Sequence, residues 1–180
     1  MSGADPMPYP NSPSAALPFA HLVLRILIVM NWLTGAGIVA LLLAPHAQWI
    51  MRSFDLEPSA DADRLILGLR AVAVLGLAAI PANYVVLNRL LAIVQTVRDG
   101  DPFVAANAVR LQTVAWALLA LQVLSTIIGA IGEAVSTPAH PVNLDAGFSI
   151  NGWLAVLMTF LLARVFAAGA LMRDELEGTV

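Results

Sequence analysis

Four long apolar segments alternate with short polar ones along the chain. The apolar segments cover about residues 22–43, 65–86, 111–132 and 150–172. Each is long enough to cross a bilayer as an α-helix, which takes about 20 apolar residues. The pattern therefore predicts an all-α fold, an integral membrane bundle of four transmembrane helices.

The composition argues against a water-soluble alternative. Of the 180 residues, 59% are hydrophobic and 12% are charged, whereas a soluble domain carries about 25% charged residues. An unusually apolar soluble bundle would have no need of four runs of spanning length. We therefore expect a multi-pass protein whose main partner is the lipid bilayer.

Charge and cysteine content exclude several functions. The net charge is −3, and the nine basic residues are all arginines that form no basic tract. Direct binding of nucleic acid is therefore not expected. The chain has no cysteine, which excludes disulfides, thiolate catalysis and cysteine-based metal sites.

The spans are flanked by polar segments. Residues 1–17 are rich in Pro, Ser and Ala, which predicts a disordered tail. Residues 18–172 form the predicted transmembrane domain, and residues 173–180 form an acidic C-terminal tail. The first span is interpreted as a retained helix and not as a signal peptide, because no positive charge precedes it and its apolar run is too long.

The second and third helices are longer than a membrane requires. The second is predicted from about Asp63 to Arg98, or about 50 Å, and the third from Pro102 to about Gly132. A hydrocarbon core is about 30 Å thick. Because polar residues gather at the Arg98 and Pro102 ends, we expect helices 2 and 3 to extend into the cytoplasm as an antiparallel hairpin.

The turn of this hairpin has a suitable residue at each position of a tight connection. Arg98 suits the negative end of the helix dipole, and Gly100 suits the left-handed conformation that follows a helix. Asp101 is predicted to cap the third helix, and Pro102 to occupy its first position.

Two further features are predicted for the second helix. Asp61 or Asp63 is expected to cap its start. Pro81 is expected to kink it near the middle, where Asn83 can satisfy backbone groups that the kink leaves free.

Small and amide side chains within the spans predict close packing between helices. Gly35 and Gly37 in the first span, and Ser125 and Gly129 in the third, allow backbones to approach one another. The amides expected to form hydrogen bonds between helices are those of Asn31, Asn83 and Gln122.

The arginine distribution predicts the orientation. With the N-terminus inside, the outer side receives Arg52, Arg64 and Arg70, whereas the inner side receives a larger set, Arg25, Arg89, Arg98, Arg110 and Arg173. Positive residues favour the cytoplasmic side. We therefore predict a protein of the bacterial inner membrane with both termini in the cytoplasm.

Arg164 is the most conspicuous single residue. It lies inside the fourth span, about two turns from the inner end. A charge at depth marks a functional site by default, here one for an anionic ligand, a lipid headgroup or a partner carboxylate. The alternative is an arginine whose side chain extends along the helix to the inner interface.

No set of residues in the sequence indicates catalysis. His21, His46 and His140 lack the spacing of a metal site. No nucleophile motif and no phosphate-binding glycine motif is present. We expect no enzymatic activity, no cofactor and no metal.

The remaining candidate is a cytoplasmic surface made by the turn, the hairpin and the C-terminal tail. We expect Arg89, Arg98 and Arg110 to pair with acids of the tail. The candidate binding residues are Asp99, Gly100, Asp101, Pro102, Phe103, Asn107, Arg110, Arg164, Asp174, Glu175 and Glu177.

Two stretches resemble a known family. They are the turn Arg98–Phe103 with Asn107 and Arg110 after it, and the ending with Val165, Phe166, Gly169 and residues 173–180. They resemble the bacterial integral-membrane family catalogued as domain of unknown function 2975, over about residues 20–180. The resemblance implies four membrane helices, no established enzymatic activity and genes that often lie beside a small helix-turn-helix regulator.

Two functional hypotheses follow. In the first, the protein is a non-enzymatic binding or regulatory module that acts through its cytoplasmic hairpin and tail, and the resemblance implies a helix-turn-helix transcription regulator as partner. In the second, it is a small transporter or permease component, or a membrane protein that binds lipid or small molecules, with a polar cavity lined by Arg164, Asn31 and Asn83. A homo-oligomer is compatible with both.

Overall fold

The protein is built from four α-helices in a computed structural model that describes residues 16–43, 60–136 and 146–177. The helices are α1 (Ala16–Leu43), α2 (Ala60–Arg98), α3 (Ala105–Val135) and α4 (Ile150–Glu177). All four are long and apolar enough to cross a membrane. The predictions of an all-α fold and of four spanning helices are thus confirmed.

The helices form an open row. Each packs against its neighbour in the chain, α1 on α2, α2 on α3 and α3 on α4. Among the described residues no contact joins α1 to α3 or α4, or α2 to α4. The predicted bundle is therefore not closed. Large apolar side chains remain exposed on every helix, and in a membrane protein lipid covers such surfaces.

The first interface, between α1 and α2, centres on the carbonyl next to the proline of α2. The Asn31 amide donates a hydrogen bond of 3.1 Å to the Ile80 carbonyl, one residue before Pro81, which lies inside α2. A Cβ added to Gly35 would lie 3.3 Å from the Ile80 side chain. Gly35 and Asn31 thus have their predicted packing roles, but the amide that bonds beside Pro81 is Asn31 and not Asn83.

The α3–α4 interface includes a close backbone approach between α3 and the segment before α4. A Cβ on Gly129 would lie 2.5 Å from the Cα of Gly147, and the Gly147 N–H donates a hydrogen bond to Ser125 Oγ at 3.3 Å. The close approach predicted for Ser125 and Gly129 is confirmed. Ser149 then caps α4, because its Oγ accepts the Gly152 N–H at 3.2 Å.

Several predicted boundaries shift. Helix α2 ends at Arg98 as predicted but begins at Ala60, so Asp61 and Asp63 lie inside its first turn and the predicted cap at either residue is wrong. Helix α1 begins at Ala16, inside the segment predicted to be disordered. Helix α4 continues to Glu177, so the first part of the acidic tail is helical. The predicted loop histidines His46 and His140 lie outside the described residues.

We expect Gly129→Ala to destabilise the protein by about 1–3 kcal/mol, because its methyl group would overlap the backbone of Gly147 and overpacking of this kind forces backbone shifts. Thermal unfolding in detergent, followed by circular dichroism, measures the change. Gly37→Ala is the matched control, because nothing lies within 4 Å of a Cβ added there. Equal effects of the two substitutions would contradict the close contact.

Candidate functional site

The turn between α2 and α3 ends α2 in a Schellman motif. Gly100 has φ +85°, the left-handed conformation that glycine adopts without steric cost. The Asp101 N–H donates to the Thr96 carbonyl at 3.0 Å, and the Gly100 N–H donates to the Val97 carbonyl at 3.2 Å. These two hydrogen bonds define the motif. The predicted role of Gly100 is confirmed.

The start of α3 differs from the prediction. Helix α3 begins at Ala105, and Val104 is its N-cap residue, in extended conformation and without a side-chain cap. The predicted roles of Asp101 as cap and of Pro102 as first helical residue are therefore wrong. Both residues precede the helix because Asp101 is engaged by α4 and Phe103 packs against α4.

Asn107 connects the turn to both helices of the hairpin. It is fully buried, at 0% exposure. Its Nδ2 donates to Thr96 Oγ1 at 2.7 Å and to the Pro102 carbonyl at 2.9 Å. Its Oδ1 accepts a hydrogen bond from Arg110 at 2.8 Å. A buried amide needs such partners, so the end of α2, the turn and the start of α3 are held in one arrangement.

Arg110 reinforces the same hairpin. Besides Asn107, its Nη1 reaches the Ala92 carbonyl of α2 at 3.3 Å. The predicted pairing of Arg110 with an acid of the tail is therefore wrong. Its guanidinium is taken by the hairpin because Asn107 lies only three residues away, on the same face of α3.

Among the described residues, an ion pair and an aromatic contact join helix α4 to the turn. Arg173 forms an ion pair with Asp101, with the two side chains 43% and 39% exposed. The rings of Phe103 and Phe166 lie 5.4 Å apart, and a Cβ on Gly169 would lie 3.2 Å from the Phe103 ring. The prediction paired arginines of the hairpin with acids of the tail. In the observed pair the tail supplies the cation and the turn supplies the acid.

The remaining candidates of this surface lie at its edge or outside the described side chains. Asp99 and Glu175 are exposed. The side chains of Asp174 and Glu177 lie outside the described ones. The sequence reasoning missed Thr96, Phe166, Gly169 and Arg173 as parts of the site. No local signal joins Phe166, Gly169 and Arg173 to a turn more than 60 residues earlier.

A groove of about 650 Å³ runs between α3 and α4 beside this junction. Arg164 is the charged residue in its lining, and Gln112 adds an amide. The rest is apolar, namely Ala105, Ala108, Val109, Trp116, Leu157, Phe160, Leu161, Ala163, Ala167, Ala170 and Leu171. Asn31 and Asn83, which were predicted to share a cavity with Arg164, do not line this groove.

Charged residues form two layers across the row of helices. Arg110 reaches Ala92, one turn from Arg89. Arg164 and Gln112 lie at one level, because each is four residues towards the turn from the Trp116–Phe160 contact. Trp32 of α1 contacts Tyr84 of α2. Arg25 lies seven residues from Trp32, and Arg89 lies five residues from Tyr84, both towards the turn end. The layer nearer the turn therefore consists of Arg25, Arg89, Arg110 and Arg164.

The second layer lies towards the opposite end. Gly68 faces Val135, so Arg70 and Glu133, two residues inward on each antiparallel helix, lie at one level. Helix α1 ends at the same level, because Ile38 faces Gly76 five residues before that end. Along α2 the 19 residues from Arg70 to Arg89 correspond to about 28 Å.

Metal-binding groups are sparse in the part of the chain that the structure describes. No cluster of three or more His, Cys, Asp or Glu residues occurs there. His21 lies on α1, just over one helical turn beyond Arg25.

Fold and site define the class of protein. The chain is a multi-pass α-helical membrane protein, with a hydrogen-bonded helical hairpin at one end. The family model described as Protein of unknown function (DUF2975) matches residues 18–180, and the chain belongs to that family. No curated protein and no solved structure shows significant similarity to it.

We expect Asn107→Ala to destabilise the protein by about 1–3 kcal/mol, because it removes a buried amide and leaves Arg110 and Thr96 without that partner. Gln95→Ala is the control, an exposed amide on α2, and should change stability by less than about 0.5 kcal/mol. Denaturation in detergent measures both. A small effect of Asn107→Ala would contradict its central role.

The Arg173–Asp101 pair should contribute much less. Both side chains are partly exposed, and exposed ion pairs contribute about 0–1 kcal/mol. A double-mutant cycle with Asp101→Asn and Arg173→Gln isolates the coupling energy. A coupling energy above about 2 kcal/mol would show that this junction is as firmly fixed as the hairpin.

Proposed function

We propose that this protein is a bacterial inner-membrane protein that acts as a non-enzymatic binding and regulatory module. Its binding surface is the end of the molecule formed by the turn and the last turns of α4. The observation that carries the proposal is the rigid construction of this end. Exposed Arg98, Asp99 and Gly100 stand on a hydrogen-bonded motif supported by buried Asn107.

The two charged layers support a specific placement in the membrane. Their separation of about 28 Å matches a hydrocarbon core of about 30 Å. We therefore place the arginine layer at the inner interface and the Arg70–Glu133 layer at the outer one. The greater number of arginines at the turn end favours the cytoplasm for that end.

With this placement the turn reaches the cytoplasm by a short distance. The nine residues from Arg89 to Arg98 correspond to about 14 Å. A headgroup layer takes up about 5–8 Å of this. Helix α4 accompanies the hairpin, since its Arg173 reaches Asp101. The extension therefore consists of the α2–α3 hairpin with α4 beside it.

A rigid tip suits recognition of another protein. Binding through a preformed surface avoids the entropic cost of ordering a loop. The tip carries both signs of charge, with Arg98 and Asp99 exposed, which favours a folded partner over nucleic acid. Family resemblance supplies the identity of the proposed partner, a small helix-turn-helix regulator that the protein would hold or modulate at the membrane.

The alternative function is binding or transport of a lipid or small molecule. The groove between α3 and α4, with Arg164 inside it, favours this alternative. The groove begins at Ala105 and Leu171, next to the turn and to Arg173, but does not include the exposed tip. One molecule can therefore have both functions.

The placement predicts from which side of the membrane a single introduced cysteine can be labelled. The chain has no cysteine of its own, so each variant carries one reactive thiol. Asp99→Cys should react with a membrane-impermeant thiol reagent only from the cytoplasmic side, and Glu133→Cys only from the outside. Leu157→Cys is the control inside the hydrocarbon core and should react from neither side. Labelling of Asp99→Cys from outside the cell would contradict the orientation.

The partner is tested by capture from cytosolic extract with the protein held in lipid nanodiscs and mass-spectrometric identification of what binds. We expect a helix-turn-helix protein to be retained by the wild type and lost at least tenfold with Asp99→Arg, which reverses an exposed charge of the tip. Arg64→Glu, at the other end of α2, is the matched control and should retain it. Capture that survives Asp99→Arg, or that yields no such regulator, would contradict the proposal.

A further inference from the structure

The groove between α3 and α4 is divided along its length. Towards the middle of the membrane its walls are aromatic and aliphatic, with Trp116 and Phe160 in edge-to-face contact at 5.2 Å and Leu157 beyond them. Arg164 lies seven residues, or about 10 Å, from Leu157 along α4. The groove thus offers a long apolar surface that leads to a single cation.

Within the described residues, no acidic side chain balances the charge in the groove. No acidic residue lines the groove, and in the part of the chain that the structure describes Arg164 forms no hydrogen bond or ion pair. Gln112 supplies an amide at the same level. A cation at the edge of the hydrocarbon core is stabilised by an anion, so the ligand carries a negative charge and an apolar chain.

The groove opens towards lipid. Its rim consists of large apolar side chains that are about half exposed or more, Val109, Trp116, Leu157, Leu161 and Leu171. In a membrane-spanning segment such a rim is covered by acyl chains, so a lipid enters sideways whereas a water-soluble anion would have to cross an apolar surface. The level of Arg164 in the proposed placement is that of inner-leaflet phosphates.

We propose that this groove binds an anionic phospholipid of the inner leaflet. The Arg164 guanidinium and the Gln112 amide hold the phosphate, and one acyl chain lies along Trp116, Phe160 and Leu157. The inference rests on the membrane placement proposed above. It does not need a protein partner, so lipid selectivity and capture of a regulator succeed or fail separately.

Trp116 provides the probe. A parent variant with Trp32→Phe, Trp49→Phe and Trp153→Phe keeps it as the single tryptophan, and its fluorescence is quenched by bromine atoms on neighbouring acyl chains. In one series, vesicles of phosphatidylcholine contain increasing fractions of brominated phosphatidylglycerol. In the converse series, vesicles of phosphatidylglycerol contain increasing fractions of brominated phosphatidylcholine. We expect half-maximal quenching at an about fivefold lower mole fraction of the anionic lipid.

Two substitutions in the parent variant separate the groove from general surface charge. Arg164→Gln should reduce the preference to about one, with helical content unchanged by circular dichroism, because Arg164 is exposed. Arg89→Gln, an exposed arginine at the same level but on α2, should keep the preference. Inorganic phosphate, at an ionic strength matched with chloride, should not compete.

Four results would overturn the proposal. A preference of about one in the parent variant would mean that the groove holds unselected bilayer lipid. An unchanged preference in Arg164→Gln would remove the assigned residue. Loss of preference in Arg89→Gln would indicate attraction by surface charge alone, and competition by inorganic phosphate would indicate a site for a soluble anion.

Discussion

The complete burial of one amide determines the arrangement of the turn end. An amide taken out of water must find hydrogen-bond partners within the protein, or it costs about 1–3 kcal/mol. Asn107 finds them on three segments, at Thr96 of α2, at Pro102 of the turn and at Arg110 of α3. These bonds set the path of the turn, and that path places Asp101 and Phe103 where α4 can reach them.

Elsewhere the row is held by close backbone approach, as the lipid environment requires. Apolar helices gain little from the hydrophobic effect when they leave acyl chains for one another, so contact and shape decide their association. Gly35, Gly68 and Gly129 lie where a neighbouring helix or segment comes near. Each interface has such a glycine or a hydrogen bond, and in the described parts of the chain each helix contacts only its neighbours in sequence.

The sequence predicts what depends on neighbouring residues. Hydropathy gives four spans, and the left-handed conformation of Gly100 follows from its position after an apolar helix. The start of α3 is beyond this reasoning, because Asp101 has a local use as a cap and a distant use as partner of Arg173, 72 residues away. The distant contact is the one that forms, and rules based on neighbouring residues cannot predict it. The same holds for the companions of Arg164, since Gln112 and Trp116 become neighbours only through packing of α3 on α4.

The contacts at the turn end differ in strength, and the difference bears on how this end can act. The hairpin is fixed by a buried network of charge-assisted and neutral hydrogen bonds, which is costly to break. Among the described residues, α4 contacts the turn through an exposed ion pair, which contributes about 0–1 kcal/mol, and a ring contact, which contributes about 0.5–1.5 kcal/mol beyond the area it buries. The contacts at the turn can therefore be shifted with little differential binding energy, whereas the rest of α4 stays packed on α3. Since the groove is lined by α3 and α4 and ends beside Arg173, its occupancy and the shape of the turn end depend on the same contacts.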